Sequence, residues 1–343
     1  MRYALRLHKE NEVDDAGDTL IDPNASHDKR EFAYGVINNW RAIHNFPLNT
    51  FQTGLRIRAR KVNSPSITAQ RLKRLSSIDI KLRRFKWLKL SQMQDIGGCR
   101  AVVTTAKQVF ALAESYRKSS LKHKLDDHDD YITTPKSSGY RGYHLIYRYF
   151  SDKKTTYNGL KIEVQLRSQL QHAWATAVET IGAFTKQALK SSLGEKEWLR
   201  FFALMGTAIA RREETPRVAG TPEDDAELKK DIKHYASKLD VLNRLRAFGL
   251  IIKERKNLIE KNTRYFLLQT DPEKDTVSIT GYTGKDSEKA SADYLKVEKE
   301  LAGKMGQDAV LVSVDSLETL ERAYPNYFLD TKAFHEIVRL EIE

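Results

Sequence analysis

The chain has 343 residues, of which 40% are hydrophobic and 30% charged, and its 58 Lys and Arg residues against 46 Asp and Glu give a formal net charge of +12. This length favours two domains over one. No window approaches the roughly 18 continuous apolar residues of a membrane-spanning helix, and the first residues turn polar too early for a secretory signal, so a cytoplasmic protein without a membrane partner is expected. The single cysteine, Cys99, excludes an internal disulfide and a cysteine-based zinc cluster.

The positive charge predicts a polyanionic partner, either nucleic acid or nucleotide phosphates. Much of the excess lies in two runs, at residues 56–61 and 71–89. Taken alone, each run is typical either of a solvated helix face or of a phosphate-binding surface.

The first part of the chain alternates predicted helices with predicted strands. Helices are expected at about residues 27–44, 50–62, 76–88, 106–116, 169–184 and 195–212. Strands are expected at about residues 67–72, 92–103, 144–150 and 160–166. This interleaving predicts the α/β (α+β) class, with a mixed sheet flanked by helices.

Proline, glycine and acidic residues collect at 213–225 and predict a linker, after which a charged helix extends to about residue 247. A small α/β module is expected beyond it. Its elements are a hairpin of 265–270 with 276–282, a helix at 287–305, a strand at 309–314 and two short helices. The predicted division is a first domain at 1–215, a linker and connecting helix at 216–260, and a C-terminal domain at 261–343.

The stretch QMQDIGGCRAVV, residues 92–103, has the pattern of a buried strand but contains two charged residues. Asp95 and Arg100 do not suit a core, because a buried ionised side chain must be paired or must bind something. Gly97 and Gly98 allow close approach of a backbone or a ligand. The stretch therefore indicates either a metal and phosphate site or a bulged core strand with one internal ion pair.

Two further clusters have a similar character. Arg71 and Lys73 lie two residues apart at the end of a predicted strand, so they share a face that can bind a polyphosphate. Glu163, Gln165 and Arg167 share the polar face of another strand, which is typical either of solvent exposure or of a site. Two carboxylates together with substrate phosphates are how Mg²⁺ is usually held, so metal-assisted phosphoryl or nucleotidyl chemistry is indicated.

The loop SSGYRGYH, residues 137–144, offers hydroxyls, glycines and aromatic rings beside Arg141. Tyr140 or Tyr143 could stack on a nucleic acid base, an interaction of roughly 1–3 kcal/mol. The same composition also suits a surface turn with one buried tyrosine.

In this order, the four clusters resemble the synthetase domain of the RelA/SpoT alarmone synthetases over roughly residues 30–215. The matching residues are Arg71-Leu72-Lys73 with Ser77-Ile78, then Asp95-Ile96-Gly97-Gly98-Cys99-Arg100, then Ser138 to His144, then Glu163-Val164-Gln165-Leu166-Arg167 with Trp174 and Glu179. The resemblance implies a nucleotidyltransferase-like sheet and the transfer of pyrophosphate from ATP to a ribose hydroxyl, with release of AMP.

It also implies residue roles. ATP would be bound by Arg71, Lys73, Lys81 and Arg100, Mg²⁺ and catalysis would depend on Asp95 and Glu163, and the acceptor would contact Tyr140, Arg141, Tyr143 and His144. Housekeeping members use GDP or GTP as acceptor, whereas toxic small members modify the 3′ end of tRNA, which the net positive charge favours here.

The C-terminal sequence Tyr324-Pro325-Asn326-Tyr327 resembles the fused antitoxin region of the CapRel group of anti-phage toxin–antitoxins. That resemblance implies a pseudo-zinc-finger-like module whose Tyr324 and Tyr327 block the ATP site until a phage capsid protein releases them. Two core tyrosines are the alternative interpretation of this spacing. The rival functions are a small alarmone synthetase making guanosine tetra- or pentaphosphate and a non-catalytic RNA-binding module; the oligomeric state is left open.

Overall fold

The structure is a computed structural model that describes residues 3–184, 196–251, 253–257, 262–271, 276–301, 307–314, 316–328 and 330–343. The helices are α1 (Glu10–Ile21), α2 (His27–Ile43), α3 (Asn45–Val62), α4 (Leu75–Arg84), α5 (Ala106–Arg117), α6 (Gln169–Phe184), α7 (Lys196–Arg212), α8 (Asp225–Lys238), α9 (Val241–Ile251), α10 (Ser287–Leu301), α11 (Leu317–Ala323) and α12 (Lys332–Ile342). The strands are β1 (Ile67–Leu72), β2 (Gly97–Val103), β3 (Lys124–Asp130), β4 (Tyr143–Arg148), β5 (Lys161–Ser168), β6 (Lys253–Asn257), β7 (Thr263–Asp271), β8 (Thr276–Thr283) and β9 (Asp308–Ser313).

In the described residues, these strands form one sheet in the order β3-β4-β5-β2-β1-β9-β7-β8-β6. Neighbours pair antiparallel, except that β2 with β5 and β6 with β8 are parallel. The predicted mixed sheet flanked by helices is confirmed.

The C-terminal part of the chain adds to the same sheet rather than standing apart from it. Strand β9 pairs with β1 through Gln70↔Ser313 and Arg71↔Val312. One apolar cluster correspondingly takes Ala69 and Val102 from the first part and Val312 from the second. The division into domains at residues 215 and 260 stays a prediction.

A buried ion pair also joins the two parts. Arg41 of α2 lies 2.7 Å from the Glu298 carboxylate of α10, and their side chains are 1% and 7% exposed. The other Glu298 oxygen accepts a hydrogen bond from the backbone N–H of Leu75, at 2.7 Å. Since Leu75 is the first residue of α4, Glu298 satisfies one of the backbone donors that a helix start leaves free. Helix α4 is thus anchored by the C-terminal part.

Most predicted elements occur within a few residues of their expected places, and the exceptions have physical reasons. Helix α3 begins at Asn45 rather than at about residue 50, because Pro47 lies in its first turn, where a missing N–H costs nothing. The acidic sequence KLDDHDD forms β3, because an edge strand tolerates charges that a central strand excludes. The predicted end of a helix at residues 302–305 lies outside the described residues.

The charged helix expected after the linker, to about residue 247, is two helices in the structure, α8 and α9. Helix α8 packs on α7, and Phe334 and Val338 of α12 belong to the same apolar cluster as Leu228 of α8. Of the helices that the structure describes, none has the length and apolar character needed to cross a bilayer.

Candidate active site

The site forms where β1, β2 and β5 lie side by side. The register places Arg71 opposite Gly98 and Gly98 opposite Glu163, so these three residues form a row across the strands. A methyl group on Gly98 would lie 3.8 Å from a Glu163 carboxylate oxygen. The glycine therefore separates an arginine from a carboxylate, and a Cβ at its position would be in ordinary van der Waals contact with that carboxylate.

Asp95 lies just before β2, between two lysines. Its two carboxylate oxygens are 2.5 Å from Lys73 Nζ and 2.9 Å from Lys81 Nζ. Burial would raise the pKa of Asp95, but the two ammonium groups outweigh it and hold the pKa below its usual range. Asp95 is therefore an anion at every physiological pH, with two cations of the predicted ATP site attached to it.

Glu163 on β5 is held from two sides. His144 Nδ1 lies 2.9 Å from one carboxylate oxygen, and Gln165 Nε2 donates to the other at 2.7 Å. Burial opposes ionisation of Glu163, but the His144 charge lowers its pKa. Burial alone would lower the pKa of His144, and Tyr140 and Glu163 together raise it to about 9. The pair is thus an ionised carboxylate beside a protonated imidazole.

Tyr140 belongs to the same network rather than to the solvent-exposed surface. Its hydroxyl lies 2.6 Å from His144 Nε2 and accepts a hydrogen bond from Arg167 Nη2 at 2.9 Å. The side chain is 4% exposed, and its ring packs edge-on against Trp174. In this conformation the Tyr140 ring is covered, so stacking on an acceptor base stays a prediction that requires it to be uncovered.

The other two predicted acceptor residues lie elsewhere. Arg141 is 2% exposed and donates hydrogen bonds to the backbone oxygens of Ile132, Gly206 and Pro216. Tyr143 packs on Phe110 and belongs to the main core cluster, because alternate residues of a strand face opposite ways and His144 takes the site side. The structure therefore brings His144 to the site but not Arg141 or Tyr143.

One pocket gathers the predicted catalytic and ATP residues. Its lining is Ala69, Arg71, Lys73, Arg74, Ser77, Asp95, Gly98, Cys99, Arg100, Glu163, Gln165 and Tyr324. Lys81 reaches it through Asp95. All residues of this lining come from the first part of the chain except Tyr324.

Tyr324 closes one side of this pocket. Its ring centroid is 5.6 Å from the guanidinium carbon of Arg100, and Arg100 Nη1 also donates to the backbone oxygen of Ala323 at 3.4 Å. Burial, followed by the charges of Arg167 and Arg71, lowers the pKa of Arg100 to about 10. The three arginines that line the pocket, Arg71, Arg74 and Arg100, would attract a polyanion strongly.

Tyr327 lies one turn further on and contacts a different cation. Its hydroxyl accepts a hydrogen bond from Arg74 at 3.2 Å, and Arg74 also pairs with Asp308 of β9. Both tyrosines are almost fully buried, at 2% and 3% exposure. Both tyrosines are core residues that also adjoin the pocket. The interpretation as core residues and the interpretation as a block of the ATP site therefore do not exclude each other.

The donor set suits a hard divalent cation that also binds substrate phosphates. In the described part of the chain, no group of three or more His, Cys, Asp and Glu side chains could hold a metal alone. Asp95 and Glu163 do line one pocket, and two carboxylates completed by phosphate oxygens are a usual Mg²⁺ arrangement. These two carboxylates would hold the ion, which would neutralise charge on the transferred phosphates.

Several contacts were not predicted from the sequence. Arg74 belonged to a basic run without a role of its own, and Glu298 and Asp308 gave no local signal, because their partners lie more than 200 residues away along the chain. Arg167 was recognised as part of a polar strand face and of the Glu163 to Arg167 motif. Its full burial as an arginine could not be read from that pattern.

Part of the chain is similar to known proteins. Residues 70–186 match the family described as the region found in RelA / SpoT proteins. The GTP pyrophosphokinase YjbM of Bacillus subtilis is 27% identical over 158 residues, which are 45% of this chain and 72% of that protein.

Two solved structures are also similar. Small alarmone synthetase 1 of B. subtilis, bound to its product pppGpp, has a TM-score of 0.44 and 23% identity over 51% of this chain and 91% of that one. A GTP pyrophosphokinase family protein of Streptococcus pneumoniae has a TM-score of 0.40 and 25% identity over 48% and 83%. Asp95, Glu163 and the pocket residues Arg71, Arg74 and Arg100 lie within the matched residues 70–186. The match to that region and the similarity to a GTP pyrophosphokinase confirm the prediction of a pyrophosphotransferase enzyme.

Proposed function

We propose that this enzyme transfers pyrophosphate from ATP to the 3′ end of tRNA, and that its C-terminal segment holds it inactive until a phage capsid protein releases it. The observation that carries the proposal is the place of Tyr324, in the lining of the pocket that contains Asp95, Glu163 and Arg71. An enzyme of this kind would stop translation in an infected cell.

The reaction can be assigned to residues of the pocket. The acceptor hydroxyl oxygen attacks the β-phosphorus of ATP, the bond from that phosphorus to the α–β bridging oxygen breaks, and AMP leaves. Glu163 is the base that takes the hydroxyl proton, since it is an ionised carboxylate at the pocket. Arg71, Lys73 and Arg100 bind the phosphates, where a forked guanidinium or an ammonium is most effective.

The closed state uses Arg100, one of these cations, and Arg74, which lines the same pocket. Arg100 contacts Tyr324 and Ala323, and Arg74 contacts Tyr327 and Asp308. ATP would have to displace these contacts, and they are made within one chain, so they act at high effective concentration. A capsid protein that binds the open C-terminal part more tightly than the closed one would shift the balance toward activity.

Fewer observations bear on the identity of the acceptor than on the autoinhibition. The net charge of +12 and the exposed basic run of α4 favour a large polyanion. The second candidate is synthesis of guanosine tetra- or pentaphosphate from GDP or GTP, and it is favoured by the name of the B. subtilis relative, a GTP pyrophosphokinase. In that case the C-terminal part would be a regulatory module of an alarmone synthetase.

The test should use the full chain. Deleting the C-terminal part would expose the edge of β1 that pairs with β9, and also the helices that pack on α8 and α12. A truncated protein could therefore lose its fold, and that loss could not be told apart from a change in regulation. Full-length Tyr324→Ala is offered γ-labelled ATP and Mg²⁺ with tRNA or with GDP and GTP, beside the wild type.

The proposal is supported if Tyr324→Ala labels tRNA and the wild type does not. Label on guanosine nucleotides alone establishes the second candidate. The double variant Tyr324→Ala/Glu163→Gln is the control, and it should label neither acceptor. Equal labelling of tRNA by wild type and Tyr324→Ala would contradict the autoinhibitory half.

A further inference from the structure

An exposed tryptophan follows helix α4. Trp87 is 76% exposed, the largest exposure among the large hydrophobic side chains in the described residues, whereas Trp40, Trp174 and Trp198 are 4%, 2% and 2% exposed. A single exposed apolar side chain is ordinary at a protein surface and by itself carries no function. The turn that holds Trp87 and the cations beside it distinguish this side chain from other exposed ones.

The backbone presents Trp87 on a tight turn. The N–H of Leu88 donates to the Phe85 oxygen at 2.8 Å, and the Phe85 and Trp87 rings lie 6.0 Å apart. Buried Leu82 and Leu90, 2% and 0% exposed, fix the turn from both sides. The indole is therefore held outward by a short, anchored segment rather than by a loose loop.

The same turn is strongly basic. Residues 80–94 contain Lys81, Arg83, Arg84, Lys86 and Lys89 and no acidic residue. Arg83 pairs with Asp79 and Lys89 with Asp18. Arg84 and Lys86 are exposed, and within the part of the chain that the structure describes no carboxylate forms an ion pair with either. Two solvated cations thus flank an exposed indole.

The turn is continuous with the active site through α4. Ser77 lines the pocket and Lys81 binds Asp95, both on this helix. Arg84 follows Lys81 by three residues, or about 4.5 Å along the helix axis. With about 3.4 Å per nucleotide along a strand, an RNA whose end occupies the pocket can reach the turn within its first few nucleotides.

We propose that residues 83–89, here named the basic turn, are a docking surface for the acceptor RNA. Trp87 stacks on an unpaired base, and Arg84 and Lys86 bind the adjoining phosphates. Stacking of a base on an exposed aromatic ring with flanking cations is how proteins bind single-stranded RNA without strong sequence preference. The inference rests on the proposed tRNA acceptor and adds where that RNA is bound outside the pocket.

The first test measures binding alone, with the full-length chain, a short single-stranded RNA and whole tRNA. Variants Trp87→Ala, Trp87→Phe and Lys86→Ala are compared with Phe150→Ala, which removes another exposed aromatic ring, 45% exposed, after β4. Because the other three tryptophans are buried, RNA should quench a fluorescence component that Trp87→Phe lacks.

Trp87→Ala should weaken RNA binding about five- to hundredfold, Trp87→Phe should retain most of the affinity, and Lys86→Ala should reduce the salt dependence. Phe150→Ala should bind as the wild type does. Unchanged affinity in Trp87→Ala overturns the proposal. The proposal is also overturned if the wild type binds no RNA and Trp87→Ala instead abolishes binding of a protein partner.

A second measurement separates this inference from the proposed function. If RNA binds through Trp87 but no tRNA is labelled by Tyr324→Ala, the docking surface is supported and the acceptor assignment is wrong. If Tyr324→Ala/Trp87→Ala labels tRNA as fast as Tyr324→Ala at limiting tRNA, the docking surface is overturned while the function stands.

Discussion

The guanidinium of Arg100 faces the ring of Tyr324 at 5.6 Å and donates a hydrogen bond to the backbone oxygen of the preceding residue, Ala323. A partly buried arginine crowded by Arg71 and Arg167 needs an anion or a π-face beside it. In an ATP complex a phosphate would contact Arg100, and in this conformation the Tyr324 ring and the Ala323 oxygen of the C-terminal segment contact it. Under the proposed function, ATP and the C-terminal segment would therefore compete for the Arg100 guanidinium.

Glu298 should act as a latch for the closed state. Glu298→Ala leaves Arg41 buried without its carboxylate and removes the acceptor of the Leu75 N–H. Breaking a buried ion pair from one side typically costs about 3–5 kcal/mol, so we expect a lower unfolding temperature together with faster AMP release from ATP.

The matched control for this latch is Glu300→Ala, two residues further along α10. Glu300 pairs only loosely with Lys296, at 4.0 Å, and its side chain is 56% exposed, so both readouts should stay near those of the wild type. The double variant Arg41→Met/Glu298→Met should recover stability but not inhibition. Glu298→Ala without any gain in AMP release, at a temperature where it is folded, would contradict the latch.

The two neighbouring glycines of β2 should respond differently to alanine. A Cβ on Gly98 has ordinary room, 3.8 Å from Glu163, so Gly98→Ala should fold normally and lower AMP release by narrowing the pocket. A Cβ on Gly97 would lie 2.9 Å from Ile162 Cδ1 and 3.3 Å from His44 Cβ, so Gly97→Ala should lose about 1–3 kcal/mol of stability. Melting temperatures and activities of both variants, each in the Tyr324→Ala background for activity, check the contrast; equal destabilisation would contradict it.

Local sequence pattern was sufficient for the elements that build the catalytic half. Strand and helix periods located β1, β2, β5 and α6. Asp95 stood out as a charge beside the apolar end of β2, and Glu163 stood out as a carboxylate on the polar face of β5. The pattern could not show that Tyr140 is buried against Trp174, because burial of a loop residue depends on α6 and α7 packing around it. Nor could it show that β9 pairs with β1, since strand order depends on contacts distant in sequence.

The protonation of His144 should make stability pH-dependent. Its pKa is about 9 in the folded chain against 6.5 for the free group, so the His144–Glu163 pair stabilises the fold fully below about pH 6.5. That contribution is lost as pH rises through about 9, and it amounts to at most about 3 kcal/mol. Unfolding of the wild type and His144→Gln between pH 6 and 9.5 measures it. The wild type should lose stability relative to His144→Gln across this window; parallel curves would contradict the assignment.

The most direct test of the central claim is AMP release from ATP by full-length wild type, Tyr324→Phe and Tyr324→Ala, with tRNA present. Tyr324→Phe keeps the ring over Arg100 and should stay inhibited, whereas Tyr324→Ala removes the ring and should release AMP at least tenfold faster. Equal rates in all three folded proteins would show that the C-terminal segment does not control the pocket.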